Sequence, residues 1–137
     1  MRAVFDMNVF ISAFVVHGGK AERAFLLAQQ RRVDLFTSIA ILTETARTLR
    51  GKFDQHEKDI KHGLRLISRV STIVRPRRRV TVLHDDPDNR ILECAAEAGA
   101  DVVVSGDRHL PKLRRFEGAS IIRLADFLRM FPEAGDV

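Results

Sequence analysis

The chain contains no Trp and no Tyr, and its nine Phe fall mostly at apolar periodic positions, so base stacking by an exposed ring has little support. A single cysteine, Cys94, rules out an intrachain disulfide. Its place in an apolar helical pattern reads as a buried thiol in a reducing cytoplasm. No apolar run approaches the roughly 18 residues that span a bilayer. Met1 leads almost at once into a strand-like segment instead of a signal peptide, and the expectation is a soluble, unexported, cytoplasmic protein with no membrane contact. His17, His56, His62, His84 and His109 are dispersed without ligand spacing. With no Cys/His cluster and no Ser-His-Asp set at comparable positions, zinc and acyl-transfer chemistries lack candidates. Repeats, linkers and low-complexity tracts are also missing.

What is present is ordinary for a globular protein: 137 residues, 45% hydrophobic and 30% charged. The length suits one domain, residues 1–137, with a core large enough for an enzyme site. The net charge of +5 favours polyanionic partners, a weak signal by itself.

Short apolar runs alternate with helical patterns. Arg2 to Phe5 reads as a buried first strand ending at Asp6. Asn8 opens another apolar segment that Gly18-Gly19 breaks, and Ala21, Ala24, Phe25 and Ala28 follow at helical spacing. Val33 to Phe36 reads as a second strand, and Thr37-Ser38 as the cap of a helix carrying Ile41, Leu42, Thr45 and Leu49. Lys58 to Val70 makes an amphipathic helix before a short strand, Thr72 to Val74. Pro76 and the Arg77-Arg78-Arg79 run mark a loop. His84 to Asp88 is rich in turn and cap residues, and the helix of Ile91, Leu92, Ala95 and Ala98 stops at Gly99. Val102 to Val104 reads as a strand buried on both faces, Ile121-Ile122 as the last strand and Leu124 to Phe131 as a closing helix. This alternation predicts an α/β fold with a parallel sheet wrapped by helices.

Against that frame, Asp6, Glu44, Asp88 and Asp107 each fall at a strand-to-loop or strand-to-helix junction, or one turn inside the helix that follows. Such junctions converge on one edge of a parallel sheet. Asp88 has an ordinary explanation as a helix cap or first-turn residue and Glu44 as the partner of Arg47 three positions on, whereas Asp6 and Asp107, directly after buried strands, are costly unless something pairs with them. Gathered in one pocket, they would repel by roughly 4 kcal/mol per pair at about 4 Å and an effective dielectric of about 20, so such a cluster must bind cations or take up protons. Oxygen ligands alone favour Mg²⁺ or Mn²⁺, and metal activation of water at a phosphodiester is the chemistry this set supports.

Four segments carry a resemblance to the PIN-domain nucleases, especially the small prokaryotic PIN toxins of toxin–antitoxin modules: Val4 to Ala13, Glu44 within Ile41-Leu42-Thr43-Glu44, Asp85 to Glu93, and Val104-Ser105-Gly106-Asp107. They cover nearly the whole chain in the family's order. The resemblance implies a PIN-like, Rossmann-like three-layer α/β/α fold, RNA cleavage dependent on Mg²⁺ or Mn²⁺, and neutralisation by a cognate antitoxin. It assigns the catalytic, metal-binding acids to Asp6, Glu44, Asp88 and Asp107, with Asn8 and Ser105 in support. Met7 stands where the family has Thr or Ser. A homodimer or higher homo-oligomer is a further expectation.

Several readings stay open at this level. Asn8 either caps the following helix or orients Asp6. Arg77, Arg78 and Arg79 are either a solvated loop or a contact for the RNA backbone. His84 and His109 are the histidines nearest the proposed pocket. Two rival functions remain: a catalytically silent protein of the same fold that binds RNA or a partner, and a Rossmann-like phosphatase with Asp6 as nucleophile. The second usually wants an acid two positions on, where this chain has Asn8.

Overall fold

A computed structural model describes residues 1–107 and 110–132. Strand β1 (Arg2–Phe5) is followed by helices α1 (Met7–Val15) and α2 (Lys20–Gln29), then β2 (Asp34–Thr37), α3 (Ile39–Gly51), α4 (Glu57–Val70) and β3 (Ser71–Ile73). Helix α5 (Asp86–Ala98) leads into β4 (Val102–Ser105), and beyond a short 3-10 turn come β5 (Arg115–Phe116), β6 (Ala119–Arg123) and α6 (Leu124–Arg129). The expected strands and helices all form, with some ends moved by a residue or two, which is the usual uncertainty of element boundaries.

The sheet order is β3-β2-β1-β4-β6-β5, parallel throughout except where β5 pairs antiparallel with β6. That edge hairpin has no counterpart in the sequence reading, because a two-residue strand carries no periodicity. Its turn is Glu117-Gly118, both at positive φ (46° and 88°), the geometry that matches a two-residue connection to strand twist. Helices flank the sheet in a three-layer α/β/α arrangement.

Successive crossovers carry the chain outward from β1 in one direction through β2 and β3, and in the other through β4 and β6. Strands β1 and β4 therefore flank a topological switch point, where a crevice opens beyond the carboxyl ends of the strands. The register Phe5↔Val104 sets Asp6, which follows β1, beside Ser105, the last residue of β4.

Most of the phenylalanines fill the core rather than the surface. Phe5 packs against Phe10 and Phe127 with ring centroids 5.9 and 5.7 Å apart, Phe10 and Phe14 both meet Phe25, and Phe127 meets Phe131. Each fully buried ring contributes roughly 1.5–3 kcal/mol through apolar area removed from water, which anchors the end of β1 just before Asp6. Cys94 is free and buried, and burial pushes its thiol up to about 12. Among the described residues no helix is long and apolar enough to cross a membrane.

Candidate active site

Asp6 is the best-determined member of the site. Its N–H still bonds to the Val104 carbonyl at 3.0 Å, as the ladder of β1 and β4 ends. Its carboxylate then does two further things. Oδ1 accepts from the Val9 N–H at 3.1 Å, capping α1, and from the Gly106 N–H at 3.3 Å, while Oδ2 accepts from Ser105 Oγ at 2.6 Å. Ser105 is itself set by the Asp107 N–H, which donates to its Oγ at 2.9 Å. The Ser105-Gly106-Asp107 turn thus wraps the Asp6 carboxylate. It also presses on α1: a Cβ on Gly106 would lie 3.3 Å from Asn8 Cβ, closer than all but the tightest contacts.

Asp6 is only 2% exposed. Burial holds its carboxyl above the usual carboxylate range, against the pull of the hydrogen bonds from Ser105, Val9 and Gly106, and the charge of Asp107 pushes it further up. A buried carboxylate surrounded by donors, yet still raised, is one whose charge lacks a full counterpart.

Because Asp6 caps α1, Asn8 does not; it is the second residue of that helix and lines the pocket instead. The capping alternative for Asn8 is corrected on geometry: α1 begins at Met7, earlier than the apolar pattern implies, which leaves Asp6 in the cap position.

Glu44 projects from α3, a helix capped by Ser38 Oγ accepting from the Ile41 N–H at 3.3 Å. Arg47 Nη1 donates to Glu44 Oε2 at 2.8 Å, so the ordinary ion pair expected from helix spacing does form. Glu44 nevertheless faces the same pocket as Asp6. Asp88 is the third residue of α5, behind Asp85 at the cap and Pro87 in the first turn. Partial burial pushes its carboxyl up to about 7, and Asp85, Asp107 and Asp6 add to the shift in that order.

These side chains surround one cavity of about 350 Å³, lined by Asp6, Asn8, Glu44, Asp88, Met7 and Arg47 among others. That is within the roughly 300–1,000 Å³ of small-ligand sites. Asp107 is not among its lining residues, but its charge acts on both Asp6 and Asp88. Among the described residues no group of three or more His, Cys, Asp or Glu side chains is drawn tightly enough to enclose a metal ion. The donor set itself, carboxylates and neutral oxygens, suits a hard divalent cation such as Mg²⁺ or Mn²⁺. Met7 lines the cavity too, and its sulfur receives the Thr48 hydroxyl at 3.6 Å.

Three residues on α5 were given no roles by sequence reasoning. Asn89 is 1% exposed and clamps Leu83, accepting from its N–H and donating to its carbonyl, both at 2.9 Å. Glu93 accepts from the Val80 N–H and from Arg90 Nη2, each at 2.7 Å, and Arg90 also donates to the Val80 carbonyl. Together they hold the long loop between β3 and α5 and so position the approach to Asp88. The usable signal was two polar residues four apart, Asn89 and Glu93, beside the buried Ile91 and Leu92 on one helix.

The basic loop divides. Arg77 bonds through backbone and side chain to Glu97, and Arg78 pairs with Glu117 at 2.6 Å while lying over the Phe116 ring. Arg79 is exposed and lines a separate cleft. His84 is exposed and does not line the acidic cavity; His109 lies outside the described residues.

Residues 2–109 match the family model described as PIN domain. An uncharacterized protein of Methanocaldococcus jannaschii is 31% identical over 118 residues, which span 83% of this chain and 76% of that protein. Among solved structures, VapBC2 from Rickettsia felis bound to a DNA fragment from their promoter superimposes with a TM-score of 0.66 at 14% identity, over 90% of this chain and 98% of that one. At that identity the likeness is one of fold.

Proposed function

Since the chain belongs to the PIN domain family, we propose that it is an Mg²⁺- or Mn²⁺-dependent endoribonuclease, the toxin of a toxin–antitoxin module restrained by a cognate antitoxin protein. The observation that carries the reading is that Asp6, Glu44 and Asp88, up to 82 positions apart by number, line one cavity at the switch point of the sheet. The fold likeness to VapBC2 supports the antitoxin as a partner.

Asp6, Glu44, Asp88 and Asp107 are the residues that would hold the cation, which when bound activates water near neutral pH and offsets charge on the phosphodiester. Asp6 orients the set, since Ser105, Val9 and Gly106 leave its carboxylate a single position. Asp88 supplies the least compensated negative charge on the cavity wall. Asn8 offers an amide beside Asp6. Arg47, tied to Glu44 at the rim, places a guanidinium where an incoming phosphate would meet it.

The test is direct. Purified protein should cleave single-stranded RNA with Mg²⁺ or Mn²⁺ and stop when EDTA is added in excess. Cleavage that survives exhaustive chelation would remove the metal-dependent mechanism, and no turnover under any divalent ion would favour the silent binding protein. The phosphatase reading is disfavoured by Asp6 itself: a carboxylate that is 2% exposed and accepts three hydrogen bonds is poorly free to attack.

A further inference from the structure

A second cleft, of about 400 Å³, adjoins the acidic cavity and shares Ala40 and Arg90 with it as common walls. Its remaining polar lining is mainly basic. Arg75 and Arg79 are both exposed, and neither has an ion pair or hydrogen bond among the described residues. Their neighbours Arg77 and Arg78 are occupied by Glu97 and Glu117. The one carboxylate in the cleft, Glu93, is buried and already holds the Val80 N–H and Arg90.

Two further features point at an anion. Arg90 uses Nη2 on Val80 and Glu93, but its Nε is buried without a partner among the described residues, a donor whose desolvation is uncompensated. The first turn of the 13-residue helix α3 forms the dividing wall. The Ser38 hydroxyl takes the Ile41 N–H there, and its carbonyl the Leu42 N–H. The N–H groups of Ile39 and Ala40 have no intrahelical acceptor, and the positive end of the helix dipole favours a negative ligand.

We propose that the cleft walled by Arg75, Arg79 and Arg90, with the first turn of α3, seats an RNA backbone phosphate next to the one cleaved in the acidic cavity. The inference rests on the ribonuclease reading above and adds the path of the strand. Guanidinium forks match phosphate oxygens in a way that compact ammonium groups do not. A polynucleotide places successive phosphates along one chain, as two adjoining clefts of opposite charge require. An acidic peptide would bring its carboxylates against Asp6 and Asp88 with no such alternation. In this arrangement Arg77 and Arg78 brace the loop through their carboxylate partners, and Arg75 and Arg79 meet the RNA.

The test uses the full chain carrying Asp6→Asn, so that RNA is bound and not consumed, with a labelled single-stranded RNA titrated at several salt concentrations. Adding Arg75→Ala and Arg79→Ala together should weaken binding roughly tenfold and lower the salt slope by about 0.7, the value for one phosphate contact on a single strand. Arg77→Ala with Arg78→Ala should stay within about twofold of the parent with nearly its slope, because those side chains contribute no phosphate contact. Unchanged affinity and slope in the Arg75/Arg79 variant would overturn the proposal. So would an equal loss in the Arg77/Arg78 variant, failure of the parent to bind RNA, or competition by polyglutamate as effective as that of charge-matched RNA. Cleavage by the unmutated protein is scored separately. Cleavage with unchanged Arg75/Arg79 binding removes only the cleft; the expected loss of slope without cleavage removes only the ribonuclease.

Discussion

Asp6→Asn is expected to lower RNA cleavage by at least about a hundredfold while leaving a folded protein that melts higher than wild type in EDTA. The lower bound comes from the roughly 10–100-fold that even an outer partner of a metal ligand is worth. The stability gain follows from the environment of the group. Its carboxyl is held above the usual range by burial and by Asp107, so the neutral amide is favoured near neutral pH. An Asn oxygen at the Oδ1 position keeps the Val9 and Gly106 bonds, and the Ser105 hydroxyl can turn to accept from the amide. Asp6→Ala separates the two effects, because it removes the charge and the acceptors together. It should melt below Asp6→Asn by about 6–15 °C, as a lost N-cap costs about 1 kcal/mol, stranded buried donors cost a further 1–2, and each kcal/mol shifts a domain of this size by about 3–5 °C. The measurements are a cleavage assay and thermal melts of all three proteins in chelator. An Asp6→Asn protein with full activity would remove Asp6 from the reaction, and one melting as low as Asp6→Ala would make the carboxylate a structural cap alone.

Asp88 should behave differently, because no hydrogen bond among the described residues compensates its raised carboxyl. Its folded value of about 7 lies above the ordinary aspartate value of 3.8. Over that interval the native state holds more protons than the unfolded chain, so stability falls as pH rises from about 4 to about 7 and then levels off. Asp88→Asn lacks this decline. In EDTA the variant should match wild type near pH 4 and exceed it at pH 8 by about 3–5 °C, near 1 kcal/mol once solvent screening of a half-exposed group is allowed for. Cleavage by the same variant should fall by at least about a hundredfold. Adding Mg²⁺ at about 100 times its dissociation constant should raise wild type by up to about 2.7 kcal/mol and the variant by less, closing or reversing the gap. Melts across pH, with and without Mg²⁺, decide the matter. A gap of constant size from pH 4 to pH 8 would mean that Asp88 carries no perturbed charge, and a Mg²⁺ response equal in the two proteins would take it out of the cation site.

The legible part of the site was the part governed by local pattern. Asp6, Glu44 and Asp88, which line one cavity, were singled out because they stand at strand junctions or one turn inside the helix that follows, and the Glu44–Arg47 pair because helical spacing brings residues three apart together. The cap of α1 was open to Asn8 in the sequence but belongs to Asp6, since a cap is whichever residue precedes the first helical turn, and the apolar pattern placed that turn two residues late. The basic loop reads as one charge run in sequence. Its division depended on Glu97 and Glu117, 20 and 39 positions from their arginines. Strand β5 was too short to leave any pattern.

Composition and periodicity by themselves determined the α/β class, the succession of strands and helices, the burial of most phenylalanines and of Cys94, and which acids stand at or near strand ends. Those properties follow from a residue and neighbours a few positions away, over the 2.0 and 3.6 periods of strand and helix. Tertiary structure alone decided that β1 lies between β2 and β4, that Ser105 and Gly106 close around Asp6 from about a hundred residues away, and that the acidic cavity shares a wall with a cleft lined by Arg75, Arg79 and Arg90. The reason is physical: strand order is set by how the whole chain covers both faces of the sheet, and the hydrogen bonds and charges that tune Asp6 and Asp88 exist only once that order has brought distant segments within a few ångströms.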